Sequence, residues 1–134
     1  DVAFLAMAVS DYEPEPVAGK IDSDRDRIEV VCRRTPKVIQ SVRDWAPEVY
    51  LVGFKLMAGA PTEELIARAL DGCRANRADL TVANDLRSVR AGRHIIHLVR
   101  PGHAVETLGP SPNLAEDLVV RVLTFARARL GAAT

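Results

Sequence analysis

The chain has 134 residues, 48% apolar and 27% charged, with 18 basic and 18 acidic side chains and a formal net charge of zero. This length suits one domain, 1–134, with a real core, and the charge balance gives no bulk electrostatic reason to expect nucleic acid. No apolar run approaches the ~20 residues of a bilayer span, so no membrane partner is expected; Cys32 and Cys73 make no disulfide framework, and a reducing, cytoplasmic setting is the simplest reading.

The chain enters directly on the apolar run Val2 to Val9, which reads as a buried strand. Domains rarely open on a central strand, so the expectation is a longer polypeptide that has been cut or only partly covered. A natural domain with an inner first strand is the alternative. Ser10 to Gly19, with Pro14, Pro16 and Gly19, reads as an irregular loop. Arg27 to Arg33 holds Ile28, Val30, Val31 and Cys32 and reads as a second strand. Thr35-Pro36 is a helix start, since threonine caps free N–H groups and proline loses no bond in the first turn. Val38, Ile39, Val42 and Trp45 follow at helical spacing, with Pro47 beyond the stop.

Val49 to Phe54 reads as another buried strand, and Gly59 to Thr62 as a loop and helix start. The helix from Glu63 to about Asn76 puts Leu65, Ile66, Ala69, Leu70 and Cys73 on one stripe. Leu80 to Ala83 is a short strand ending in polar Asn84-Asp85. His94 to Arg100 and Ala104 to Leu108 suggest a hairpin around Pro101-Gly102. Ser111-Pro112 opens the last helix, with Leu114, Leu118, Val122, Ala126 and Leu130 as its buried stripe; Gly131 supplies a stop and 132–134 are expected to fray. Strands alternating with helices predict an α/β fold, a Rossmann-like, mostly parallel sheet flanked by helices, with an antiparallel strand addition near the end.

In open α/β sheets, ligands bind beyond the carboxyl ends of the strands. Three expected strands end in polar or charged residues: Ser10-Asp11-Tyr12, Phe54-Lys55 and Asn84-Asp85. The helix start at Thr35-Pro36-Lys37 adds N–H groups suited to phosphate. Together these describe a mixed-charge rim for an anionic ligand with a metal ion. Taken singly, Asp11 is as well explained as a turn cap, Lys37 and Lys55 as solvated charges, and Asn84-Asp85 as strand terminators. No GxGxxG or GxxxxGK[ST] occurs, so the chain has no glycine-rich phosphate cradle of its own. His94 and His97, three apart on a strand, face opposite sides and make no metal pair; His97 and His103 read as exposed hairpin residues. No protein metal-ligand set is assigned. Cys73 reads as core, not nucleophile.

Five segments carry a resemblance: Ala6 to Tyr12 (AMAVSDY), Gly19-Lys20-Ile21, Arg34 to Ile39 (RTPKVI), Val52 to Leu56 (VGFKL) and Ala78 to Leu86 (ADLTVANDL). In this order and spacing the chain resembles the phosphopantothenate–cysteine ligase family, over almost its whole length and in the C-terminal half of that enzyme. The wording AVSDY and GFKL is closer to the monofunctional ligases than to the form fused to a flavin-dependent decarboxylase. The resemblance implies activation of 4′-phosphopantothenate by CTP or ATP with Mg²⁺, release of pyrophosphate, and amide formation with cysteine on the way to coenzyme A. CTP is favoured because most bacterial relatives use it. It also implies a homodimer in which a lysine loop reaches the neighbouring active site.

Residue by residue, the resemblance makes Asp11 a nucleotide-site aspartate and Lys20 the mobile-loop lysine of the acyl-nucleotide step. Pro36, Lys37, Val38 and Ile39 form the helix-start segment on the nucleotide, Phe54 the aromatic that packs there, and Asn84 the asparagine lining the site. Lys55 is added as a phosphate contact. Two departures stand out: Lys20 is followed by Ile21-Asp22-Ser23-Asp24 instead of further lysines, and Gly72 and Asn76 occupy places where many members carry paired lysines. The family's glycine-rich strand–turn and phosphopantothenate-binding asparagine segment have no counterpart in the 134 residues. The expectation is therefore that this chain alone is an incomplete catalyst. A non-catalytic α/β binding module of the same fold is the competing reading, and a flavin or nicotinamide enzyme, lacking its fingerprint, is a third.

Overall fold

The computed structural model describes residues 1–131, the side chain of Leu130 excepted. In chain order the elements are β1 Val2–Phe4, β2 Tyr12–Pro14, β3 Cys32–Arg34, α1 Val38–Trp45, β4 Tyr50–Met57, α2 Thr62–Asn76, β5 Leu80–Asp85, α3 Leu86–Arg90, β6 Ile96–Val99, β7 Glu106–Leu108 and α4 Leu114–Gly131. They fall into two compact units: Asp1–Ala6 with Ile39 onward, and Met7–Val38.

The larger unit is an α/β sheet of order β1-β4-β5-β6-β7. β1, β4 and β5 run parallel, and β6 and β7 add to the edge antiparallel, as a hairpin. This is the expected Rossmann-like arrangement with its antiparallel addition. Strand alternation sorts the sheet into two faces. On one, Tyr50, Val52, Leu80, Val82, Ile96 and Leu98 pack with Leu114, Val122 and Ala126 of α4. On the other, Ala83 and Val99 pack with Leu65 and Ala69 of α2. Each fully buried Val or Leu side chain contributes about 1.5–3 kcal/mol relative to exposure, so these two layers dominate the stability of the unit. Gly53 sits on the α2 face, and a Cβ there would lie 3.2 Å from Ile39 Cδ1 of α1. Its bare backbone is what lets that helix approach.

The ends of the sheet are tied by side chains. At the N-terminal ends of β4 and β5, Asp79 accepts from Arg43 Nη2 (2.8 Å), Arg129 Nη1 (2.6 Å) and the Leu51 N–H (2.7 Å). Arg43 also donates to the carbonyls of Pro47, Val49 and Arg77. Beside this clamp, burial first and the Asp79 charge second push the Tyr50 phenol up to about 12. At the opposite ends, Asp85 Oδ1 accepts from the Gly59 N–H at 2.7 Å, and its other oxygen caps α3 at the Ser88 N–H.

The smaller unit is a two-stranded ribbon, β2 antiparallel to β3, with Tyr12 opposite Arg34. Arg34 lies over the Tyr12 ring at 5.9 Å. Residues 15–31 between these strands form no helix or strand.

Several expected boundaries move. The first strand is only Val2–Phe4, because β1 is an edge strand in this sheet and pairs with β4 alone. After the Leu5 N–H donates to Val52 O the chain leaves the sheet, and Met7 and Val9 are exposed. The second strand is Cys32–Arg34, with Ile28, Val30 and Val31 exposed outside it. Thr35 does not cap α1: its hydroxyl donates to the Ser10 carbonyl, and the helix starts at Val38. Trp45 is exposed. Ser111 does serve the last helix, accepting from the Asn113 N–H and donating to Asp117 Oδ2. His97 is half-buried, paired through Nδ1 with Thr107 Oγ1, and burial lowers its pKa. Cys73 is core as expected: its thiol contacts Thr81 Oγ1 at 3.0 Å, and burial pushes its pKa up. α4 runs as far as Gly131, the last described residue, so the expected glycine stop falls at the limit of the described residues. The expected burial of Leu130 and fraying of 132–134 lie outside the described residues.

Candidate functional site

β4 changes character halfway. Tyr50 to Gly53 are buried, whereas Phe54 and Leu56 are 40% and 53% exposed. These two residues continue the face that α4 covers lower down, so the helix leaves the carboxyl ends of β4 and β5 open on that side. A cavity of about 440 Å³ forms there, lined by Phe54, Val82, Asn84, His94, Ile96, Ser111, Pro112 and Leu114, among others. Its floor is apolar, supplied by Val82, Ile96 and Leu114. Phe54 presents a ring, and Asn84, His94 and Ser111 supply polar atoms. An apolar cleft with a few polar groups, at the carboxyl ends of parallel strands, is the usual form of a small-molecule site.

Register explains who arrives there. Phe54 pairs with Val82, and Leu56 with Asn84, so Phe54, Val82 and Asn84 share one face. Asn84 also pairs with Ile96 of the antiparallel β6, whose N-terminal end therefore lies beside the carboxyl end of β5. His94, two residues before Ile96, is delivered to the cavity by that reversal. The segment carrying Ser111 and Pro112 is seated by Gly109 (φ +89°), where a Cβ would collide with the His94 carbonyl and lie 3.3 Å from Leu114 Cδ1. Ser111 is satisfied internally by Asn113 and Asp117. The side chains of Asn84 and His94 have no hydrogen-bond partner among the described residues.

Parity sends the neighbours of these residues elsewhere. Lys55 and Asp85 follow Phe54 and Asn84 by one position and belong to the α2 face. Lys55 is half-buried there and does not line the cavity. Asp85 holds the Gly59 N–H, and that bond, ahead of those from the α3 amides, keeps its carboxyl below the usual 3.8.

In the smaller unit, Asp11 and Lys37 come together: Lys37 Nζ lies 3.8 Å from Asp11 Oδ1, both exposed. The Asp11 carbonyl accepts from the Thr35 N–H at 3.0 Å, which seats the helix-start segment beside the aspartate. Pro36 and Val38 are exposed, and Ile39, where the chain re-enters the larger unit, is half-buried. Lys20 is exposed in the segment without regular structure. Among the described residues no group of three His, Cys, Asp or Glu side chains could hold a metal ion.

The sequence reading placed Phe54 and Asn84 at strand ends but did not assign His94, Ser111 or Pro112 to a site. A signal existed. An antiparallel hairpin after β5 must return its starting residues to the carboxyl end of β5, and a helix that opens at Ser111-Pro112 on the same face closes the far wall.

The chain is 38% identical to the coenzyme A biosynthesis bifunctional protein CoaBC of Thermococcus kodakarensis over 100 residues, 74% of this chain and 25% of that protein. It is 31% identical to the phosphopantothenate–cysteine ligase of Mus musculus over 121 residues, 87% of this chain and 37% of that protein. The chain thus spans about a quarter to just over a third of these relatives. The crystal structure of the DNA/pantothenate metabolism flavoprotein from Streptococcus pneumoniae superposes with a TM-score of 0.80 at 28% identity, over 92% of this chain and 63% of that one. A family model matches residues 1–124, and the chain belongs to the DNA/pantothenate metabolism flavoprotein C-terminal domain family.

Proposed function

We propose that this chain supplies the nucleotide side of a phosphopantothenate–cysteine ligase of coenzyme A biosynthesis, a nucleoside-triphosphate-dependent acid–amino acid ligase. The observation that carries the reading is the cavity formed by Phe54 and Asn84 in a chain of this family. The bifunctional and monofunctional relatives named above give the reaction. Its logic is carboxylate activation: the pantothenate carboxylate attacks the α-phosphorus of the nucleotide, pyrophosphate leaves, and the cysteine amine displaces the nucleotide to form the amide. The small-molecule substrates are 4′-phosphopantothenate, cysteine and CTP, with ATP as the other candidate nucleotide. We place the enzyme in the cytoplasm as a homodimer.

The roles follow the chemistry of each residue. Phe54 offers a ring for stacking and Asn84 an amide edge. Asp11 and Lys37, 3.8 Å apart, together offer one carboxylate and one ammonium to a metal–triphosphate, with Pro36, Val38 and Ile39 shaping the helix start beside them. Lys20 stabilises charge in the acyl-nucleotide step, whereas Lys55, on the α2 face and outside the cavity, has no support there as the phosphate contact expected of it. A magnesium ion suits this donor set as a passenger of the triphosphate, because Mg²⁺ keeps phosphate and water oxygens with one or two carboxylates. When bound, it neutralises charge on the phosphates. Asp11 would lie beside the metal-bound phosphate, and no side chain is assigned as a metal ligand. Gly72 and Asn76, in place of paired lysines, favour the second reading, a non-catalytic nucleotide-binding module of the same fold.

Pyrophosphate release separates the two. The full-length protein is incubated with 4′-phosphopantothenate, cysteine, Mg²⁺ and either CTP or ATP. Release that depends on both other substrates supports the ligase. No pyrophosphate with either nucleotide overturns it.

A further inference from the structure

We infer that His94 is a specificity-determining residue for the nucleobase, reading its edge together with Asn84 while Phe54 carries its face. The inference rests on the reading of this cavity as the nucleotide site. Three observations carry it. Among the polar side chains of the cavity, Ser111 already accepts from the Asn113 N–H and donates to Asp117. Asn84 and His94 keep their whole hydrogen-bonding capacity for an incoming group, having no side-chain partner among the described residues. The backbone of His94 is held by its neighbours: Ile96 is locked opposite Asn84 in the ladder, and Gly109 lies so close to the His94 carbonyl that no side chain fits between them.

Chemistry selects the ligand group. A nucleobase combines a flat apolar face with a rim of donors and acceptors, and this cavity opposes an aromatic ring and aliphatic floor to two free polar side chains. A phosphate would meet an apolar floor here and none of the chain's lysines or arginines. An amide and an imidazole both present donor and acceptor atoms. Cytosine and adenine differ in the arrangement of their exocyclic amine, ring nitrogens and carbonyl, so fixed partners on two sides can discriminate between them.

The experiment uses the full-length protein and the variants His94→Ala and His94→Gln. Steady-state kinetics are measured with CTP and with ATP, nucleotide binding is measured separately by calorimetry without the other substrates, and thermal melting checks the fold. Losing one hydrogen bond to the base should raise KM and Kd for the preferred nucleotide roughly threefold to tenfold. The KM for cysteine should stay put, kcat should fall less than KM rises, and the CTP-to-ATP preference should narrow. His94→Gln, which keeps a donor and an acceptor, should recover part of the loss. Unchanged nucleotide Kd and unchanged preference in a folded His94→Ala protein would overturn the inference. If the wild type binds nucleotide in a His94-dependent way yet releases no pyrophosphate, the ligase reading fails and this inference stands. Turnover that is indifferent to His94 in both Kd and preference does the reverse.

Discussion

Arg129 and Asp79, 50 positions apart in the chain, meet at 2.6 Å where the sheet begins. The same carboxylate also takes Arg43 and the Leu51 amide, so one side chain joins α1, β4, the turn before β5 and α4. Asp79 is only 18% exposed and Arg43 only 17%. Removing the acid from such a cluster leaves two guanidinium groups without their counter-ion and a strand amide without its acceptor. Asp79→Ala should therefore lower the stability of the folded protein by about 2–4 kcal/mol. Urea titration reads this as a lower midpoint at constant slope. A midpoint within error of wild type would show that the clamp is dispensable.

Gly109 is the second position where one atom decides the structure. Its φ of +89° disfavours any side chain, and a Cβ would run into the His94 carbonyl backbone. The conformation alone costs of order 1–3 kcal/mol for a non-glycine residue. Gly109→Ala should lose at least that much and should also weaken nucleotide binding, since it displaces one wall of the cavity from the other. Melting temperature and nucleotide Kd check the two effects. A stable variant with weakened binding would restrict the role of Gly109 to the cavity, and one unchanged in both would remove it.

Asp85 makes the acid limb of stability predictable in sign. The Gly59 amide holds its folded pKa below the ordinary 3.8. As pH falls, the unfolded chain takes up this proton first, so the contribution of Asp85 is complete above about pH 4 and disappears as pH drops through the folded value. Asp85→Asn should be less stable than wild type at pH 7 and should lose less on acidification. Urea midpoints from pH 7 to pH 2.5 test it; parallel curves would mean that the bond to Gly59 does not favour the charged form.

Lys20 carries the opposite signature. It is exposed and outside any helix or strand, so Lys20→Gln should leave the melting temperature within error. If it serves the acyl-nucleotide step, pyrophosphate release should fall by roughly 10²-fold or more, the loss expected for one charge that stabilises the transition state. Activity within a factor of about two would exclude it from the chemistry.

The sequence was most informative where burial and periodicity agree. Leu65, Ala69 and Cys73 on α2, and Leu114, Val122 and Ala126 on α4, are buried at the spacing their pattern predicts. The hairpin around Pro101-Gly102 also formed as read. The pattern misled at the front of the chain, where Met7, Val9, Ile28, Val30 and Val31 look like strand interior but are exposed. Apolarity alone does not supply a hydrogen-bonding neighbour, and β1 has only β4. At the cavity, Phe54 and Asn84 were legible because polar residues follow apolar strands. His94 was not, because its position depends on how β6 folds back, a relation between strands that no local window contains.

The pleat of β5 has a consequence for how this segment can change. Asn84 and Asp85 are adjacent, yet one lines the cavity and the other fastens a loop on the reverse side. Substitutions within Leu80–Ala83 that preserve size leave both assignments intact. Deleting any one of those residues would shift the frame by half a pleat. The Asp85 carboxylate would then take the cavity-facing position of Asn84, and the Asn84 amide would fall at the Ala83 position on the α2 face, leaving the Gly59 N–H without its acceptor. The count of residues between Asp79 and Asn84 is therefore fixed more tightly than their identity: a ruler four residues long, with the clamp at one end and the cavity at the other.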